Sequence, residues 1–280
     1  MTERRSAQLC AWNDAAVAIL TTVDDVADPR VDDFRDLTAA DRRPDRPGGR
    51  GLVIAEGVVV VRRLLDSPYP VRSLLGVPRR LAELDLSAVD APAYAADADT
   101  MARIVGFHLN RGVLAVADRA PTPTIVQLAA GRLLAVLEGV NDHENLGALF
   151  RNAAALGVDG VLLGPRCADP LYRRSVRVSM GHVLRVPFAQ LPEPWPDSLT
   201  ALDHTIVALT PAADAMPLAA AGLAGRRVAL LLGAEGPGLT ADALGAAHVR
   251  VRIPMSTGVD SLNVATAAAV AFHALAAPLG

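Results

Sequence analysis

The sequence predicts an α/β protein in two parts: a smaller α/β unit, then a larger unit built on a parallel sheet. Three observations carry this. Short apolar runs of strand length alternate with helical-period segments from about residue 52 to the end. A polar stretch with two prolines, DRAPTPT at 118–124, interrupts the alternation. In the second part, the polar and glycine-rich segments follow strands, which is where open α/β sheets bind ligands.

Taken in order, residues 1–27 read as an N-terminal extension or edge element. Residues 28–51, rich in Asp, Arg, Pro and Gly, read as a loop. The unit at 28–118 has strand candidates at 52–55, 71–77 and 112–117 and helix candidates at 56–65 and 100–105. Val58, Val61, Leu64 and Leu65 mark the inner face of the first helix. Residues 119–132 are the linker. Over 133–280, strands are predicted at 133–137, 158–163, 183–186, 205–209, 228–232 and 249–253. Helices are predicted at 146–156, 176–182, after a Thr240 cap, and at 262–275. The 146–156 helix has its apolar face at Leu146, Leu149, Ala153 and Leu156, and Gly157 ends it. Strands of this kind, joined by helices, imply a parallel sheet covered on both faces.

Composition narrows the function. Hydrophobic residues make up 51% of the 280, enough for a large core, and charged residues only 20%, which argues against disorder. All 27 basic residues are Arg, so lysine Schiff-base and P-loop chemistry are excluded. Net charge is −3, with 16 Arg against 18 acidic residues up to residue 120 and 11 against 12 beyond it. Any nucleic acid must therefore meet local Arg clusters and not a global field. The Arg pairs at 62–63, 79–80 and 173–174 are candidate phosphate contacts. Aromatic content of 4% disfavours a base-stacking platform. Cys10 and Cys167 are far apart and read as free thiols in a reducing cytosol, and no Cys/His spacing suits a metal. The most apolar stretch, 264–279, is too short to span a membrane. These features predict a cytoplasmic protein without metal or membrane.

Three loops carry the chemistry. NDHENLGALFRN at 141–152 leaves a strand and enters a helix, with Asn145 at the entrance and Arg151 about two turns in. A helix cap and a solvated Arg would explain them, as would an amide and a guanidinium facing one substrate. LLLGAEGPGLT at 230–240 surrounds the carboxylate of Glu235 with Gly233, Gly236 and Gly238. Gly236-x-Gly238-x-x-Ala241 matches a dinucleotide loop in form, but it starts three residues after the strand and contains Pro237. IPMSTGVDSLNV at 253–264 puts Ser261 and Asn263 at a helix entrance, with Ile253, Met255 and Leu262 available to line an adenine pocket.

In order and spacing, NLGALFRNA at 145–153, LLLGAEGPGL at 230–239 and IPMSTGVDSLNVATAAAVAFHAL at 253–275 resemble the SpoU/TrmH family of RNA ribose methyltransferases, within the SPOUT superfamily. The earlier segment, with VIAEG at 53–57 and GVLAVA at 112–117, is similar to the accessory RNA-binding domain of some members.

The resemblance implies a 133–280 methyltransferase domain with a C-terminal trefoil knot and a 28–118 substrate-binding domain. It implies S-adenosylmethionine as cofactor, held by Gly233, Gly236, Ile253, Met255 and Leu262. The implied catalytic set is Asn145, Arg151, Glu235, Ser261 and Asn263. The implied reaction is methyl transfer to a ribose 2′-hydroxyl of rRNA or tRNA, by a homodimer joined through the last helix. A guanidinium stays protonated, so Arg151 is expected to bind the adjacent phosphate and stabilise alkoxide charge. Glu235 is expected to position Arg151 or its own loop, and the two Asn to orient the ribose and loops. His143 and Glu144 are expected to be solvated loop residues. The alternative is a non-catalytic RNA-binding or S-adenosylmethionine-sensing protein of the same fold.

Overall fold

The apolar runs form strands with both faces buried, and these assemble into two sheets. The computed structural model describes residues 20–37, 51–199 and 202–276. The first sheet holds β1 (Leu20–Thr22), β2 (Val53–Glu56), β3 (Val71–Gly76), β4 (Ala93–Ala95) and β5 (Val113–Ala117), in the order β1-β4-β3-β5-β2. It is mixed: β5 runs antiparallel to β2 and β3, whereas β4 is parallel to β1 and β3. Its helices are α1 (Val58–Leu65), α2 (Pro78–Leu81) and α3 (Ala98–Val105).

Residues 20–22 of the expected extension are thus the sheet's edge strand; residues 1–19, with Cys10, lie outside the described residues. Part of the expected 28–51 loop is a 3-10 helix, Pro29–Phe34, whose Val31 and Phe34 are buried. The expected linker also has structure. Its α4 (Ile125–Leu128) starts in a Thr124–Gln127 capping box and buries Leu128.

The second sheet holds β6 (Leu133–Glu138), β7 (Gly160–Leu163), β8 (Phe188–Gln190), β9 (Thr205–Leu209), β10 (Met216–Pro217), β11 (Val228–Gly233) and β12 (Val249–Arg252). The order is β10-β12-β9-β11-β6-β7-β8, and every pairing is parallel. Its helices are α5 (His143–Ala155), α6 (Arg173–Val178), α7 (Trp195–Ser198), α8 (Ala241–Ala246) and α9 (Val264–Leu275).

Strand parity divides the core. Leu133, Ala135 and Leu137 of β6 face one apolar cluster with α5 and α9; Leu134 and Val136 face the other, with Trp195 of α7 and Ala243 of α8. The first cluster continues into the smaller sheet through Val113, Ala115 and Ala117 of β5, so the sheets share a core. Glu56 pairs with Arg173 at 3.3 Å across this junction, both largely buried, and the Arg173 guanidinium lies 4.7 Å from the Phe107 ring centre.

One predicted strand is absent. Residues 183–186 are not extended: a 3-10 helix covers His182–Leu184, and the strand is β8, beyond Pro187. The β-branched Val183 and Val186 imitate a strand, but Met180 and Gly181 both take positive φ and turn the chain into the tighter helix. The helix expected at 176–182 accordingly runs earlier, as α6.

Candidate active site

The carboxyl ends of β6, β9, β11 and β12 bring the three loops together. The 141–152 loop becomes α5 three residues earlier than the sequence suggested. Asp142 is its N-cap, accepting from Glu144 N and Asn145 N at 2.8 Å each. Asn145 therefore lies in the first turn with its amide free for other work. His143 and Glu144 are helical and not loop residues; Glu144 is exposed as expected, whereas His143 is half-buried. The His143 ring packs on Tyr172 at 4.4 Å, and Glu144 pairs with Arg174. Gly147 lets α6 press close, because a Cβ there would meet Ser175 O and Val178 Cβ at 2.9 Å.

Asn263 is the joint of the site. Its Oδ1 caps α9, accepting from Ala265 N at 3.0 Å and Thr266 N at 3.2 Å. Its Nδ2 donates to Asn145 Oδ1 and to Glu235 Oε1, both at 2.8 Å. One amide thus links residues 118 and 28 positions away, from all three loops. Glu235, expected to position Arg151 or its own loop, is held by this amide.

Arg151 is elsewhere on α5. Six residues beyond Asn145, it is about 9 Å along the helix and about 120° around it. It is exposed and outside the Asn263 hydrogen-bond cluster. Asn145 and Arg151 therefore do not face a single point in one chain. Ser261 donates to Asp260 Oδ1 at 3.3 Å, and its part in the site is to line the neighbouring cavity.

That cavity, about 340 Å³, is walled by the 232–239 segment and by Ile253, Met255, Ser261 and Leu262. Gly233, Gly236, Ile253, Met255 and Leu262, the expected cofactor residues, all line it. Sequence reasoning missed a further part of its wall, Leu209, Thr210 and Pro211 at the end of β9. The loop over it is tightly folded. A Cβ on Gly233 would meet Gly238 C at 2.3 Å, so only glycine permits the closure that pairs Ala234 with Gly238.

Glu138, also unforeseen, anchors the end of this loop. It is 2% exposed. It accepts from Thr240 N and Thr240 Oγ1, both at 2.9 Å, while Thr240 caps α8 through Ala243 N. The cavity suits S-adenosylmethionine: apolar walls for an adenine, backbone polar groups of a glycine-rich turn along its edge, and a volume within the range of small-ligand sites.

The comparisons agree with this geometry. A sequence model of the SpoU rRNA Methylase family matches residues 132–273. An uncharacterized tRNA/rRNA methyltransferase of Mycobacterium tuberculosis is 61% identical over 257 residues, covering 89% of each chain. The 23S rRNA (guanosine(2553)-2′-O)-methyltransferase of Bacillus subtilis is 27% identical over 225 residues, 79% of this chain and 87% of that one. The AdoMet-bound rRNA methyltransferase from Sinorhizobium meliloti superposes with a TM-score of 0.76 at 25% identity, covering 91% of this chain and 97% of that one. With the family model spanning half the chain and a relative this similar along most of it, the chain belongs to the SpoU rRNA methylase family, S-adenosylmethionine-dependent RNA methyltransferases of the 2′-O-ribose type.

Proposed function

We propose that the chain methylates a ribose 2′-hydroxyl of ribosomal or transfer RNA, with its chemistry beside the Asn145–Asn263–Glu235 cluster. The observation that carries this is the Asn263 amide, bonded at once to Asn145 of the first loop and to Glu235 of the second, which lines the 340 Å³ cavity. Gly233, Gly236, Ile253, Met255 and Leu262 hold the cofactor, which supplies a methyl carbon made electrophilic by its sulfonium. The ribose hydroxyl is a weak nucleophile and must lose its proton as the new C–O bond forms. Asn145 and Asn263 orient the ribose, and Glu235 fixes the Asn263 amide. Ser261 lines the approach. Arg151 binds the phosphate next to the target ribose. Its position away from the cluster favours this role over a direct share in the amide network.

Residues 28–118 act as the RNA-binding unit and 133–280 as the methyltransferase. The return of the chain from β12 across the 234–239 loop to α9 is where we place the knot. The outer face of α9, with Thr266, Val270 and His273 exposed, suits pairing with a second copy. No helix among the described residues is long and apolar enough to cross a membrane, and an RNA substrate of this kind points to the cytoplasm.

Labelled S-adenosylmethionine and unmodified total RNA, followed by nuclease digestion and mass spectrometry, test the reading. A ribose-methylated nucleotide is expected; label on a base rejects the 2′-hydroxyl mechanism. Arg151→Ala is expected to abolish turnover with nearly unchanged cofactor affinity by calorimetry. Loss of cofactor binding in that variant overturns the role given to Arg151.

A further inference from the structure

Most residues of the arginine pairs that looked like phosphate contacts are engaged by other groups of the protein. Arg62 donates to Glu83 O, Arg80 pairs with Glu83, Arg173 with Glu56 and Arg174 with Glu144. A different set is left over. Arg151 and Arg185 are exposed, and no described carboxylate pairs with either. Arg63 uses one guanidinium nitrogen on Met180 O, which leaves its other donors available.

These three converge on one turn at the junction of the sheets. Arg63 is in the last turn of α1. The 180–181 turn rests on that helix: a Cβ on Gly181 would meet Val60 Cγ1 at 3.2 Å and Arg63 Cβ at 3.4 Å. The 3-10 helix His182–Leu184 follows at once, with Arg185 at its end, and it packs against α5, which carries Arg151. His182 registers the crowding. Burial, then the charges of Arg63, Arg185 and Arg151, hold its imidazole below the ordinary range, and no carboxylate is among the groups acting on it. Like charges gathered at a surface without a counter-charge repel one another, and a polyanion removes that cost.

We propose that Arg63, Arg151 and Arg185 form a phosphate track for the RNA strand that carries the target ribose, running from the methylation site across the 180–182 turn onto the smaller sheet. The inference rests on the reading above, that RNA is the substrate. It makes Arg151 the point where the track meets the chemistry, and it assigns the smaller sheet's share of the contact to α1.

The test is RNA affinity against salt concentration, using unmodified tRNA and rRNA fragments transcribed in vitro, with cofactor affinity measured separately by calorimetry. Arg185→Ala is expected to weaken RNA binding roughly threefold and Arg185→Glu roughly tenfold or more. Loss of one phosphate contact also lowers the slope of log affinity against log salt by about 0.7–0.9. Cofactor affinity stays unchanged. Arg226→Ala, at the start of β11 on the opposite edge of the sheet, serves as the control that changes neither quantity. Arg63→Ala should repeat the Arg185→Ala result, and because it also loses the Met180 bond, the exposed Arg185 variants decide the matter. If Arg185→Glu matches the unaltered protein in affinity and slope while that protein binds and methylates RNA, the track is wrong and the enzymatic reading stands. If the unaltered protein binds cofactor but neither binds nor methylates any of these RNAs, the enzymatic reading fails and the track falls with it.

Discussion

The two edges of the seven-stranded sheet use polar residues in opposite ways. At the amino edge, side chains close onto main chain. Asp159 accepts from Arg132 N and Leu133 N at 2.8 and 2.9 Å, His204 Nε2 lies 2.9 Å from Gly131 O, and Arg132 donates to Leu275 O at 3.1 Å. The Asp159 bonds fasten the starts of β6 and β7, His204 ties the start of β9 to that of β6 past β11, and Arg132 ties β6 to the end of α9. At the carboxyl edge, side chains bond to side chains from distant loops: Asn263 to Asn145 and Glu235, and Thr240 to Glu138. These bonds adjoin a cavity. Polar groups answered by main chain alone hold the sheet together, whereas polar groups that also answer one another hold a site. The first kind should fail in stability and the second in catalysis.

Asn263→Asp sharpens this contrast most. The carboxylate can still accept from Ala265 N and Thr266 N, so the cap of α9 survives. It cannot donate to Asn145 or Glu235, and it sets a negative charge against the Glu235 carboxylate. Turnover is expected to fall about 100-fold or more, with a melting temperature close to that of the unaltered protein. Asn263→Ala adds loss of the cap, about 1 kcal/mol. Near-normal turnover in the Asp variant, measured under saturating cofactor and RNA, would remove Asn263 from the site.

Thr240 tests whether the carboxyl edge also has a purely positioning layer. Thr240→Val keeps the shape but removes the hydroxyl that bonds Glu138 Oε1 and caps α8. One acceptor of a buried carboxylate then goes unanswered, which costs about 1–3 kcal/mol. The 234–239 loop loses one of its two bonds to Glu138. Cofactor affinity is expected to weaken roughly tenfold while kcat at saturation changes little, and Thr240→Ser should restore both. A fall in kcat with unchanged affinity would assign Thr240 to the chemistry instead.

Legibility in the sequence followed the same division. Strands rich in Leu, Val and Ile were visible within a residue or two, β9 at its observed bounds. β4 was not, because Ala93–Ala95 carries no β-branched residue and becomes a strand only between β1 and β3. Asn263 was readable as a cap or a site residue, but its bond to Asn145 depends on the chain returning from β12 to α5, which no local pattern encodes. Ordered motif resemblance supplied that proximity. Leu209–Pro211 escaped notice because a lone Thr between Leu and Pro carries no motif; only the strand order, with β9 between β11 and β12, turns it toward the cavity. The Arg pairs were visible too, and misleading: Glu56 and Glu144 lie far in sequence from Arg173 and Arg174, and only the Arg80–Glu83 pair is local.

The smallest expected effect belongs to the amino edge. His204 is buried, and its Nε2–H points to Gly131 O, while Nδ1 has no partner among the described residues. Burial first, and the charge of Arg227 after it, lower the His204 pKa despite the Gly131 bond, which works the other way. A proton on Nδ1 would place a second N–H where nothing accepts it. Between the lowered folded-state value and the ordinary value near 6.5, the unfolded chain therefore binds the proton and the folded chain does not. Stability should hold above about pH 6.5 and decline as pH falls through that window, by at most about 1.4 kcal/mol per pH unit for one group. Turnover per folded molecule should not change for this reason. His204→Gln, which keeps a donor for Gly131 O and cannot titrate, should flatten this part of the profile of melting temperature against pH. An unchanged profile would mean that other groups, His182 among them, set the acid limit, and that the amino edge owes its stability to Asp159 and the arginines alone.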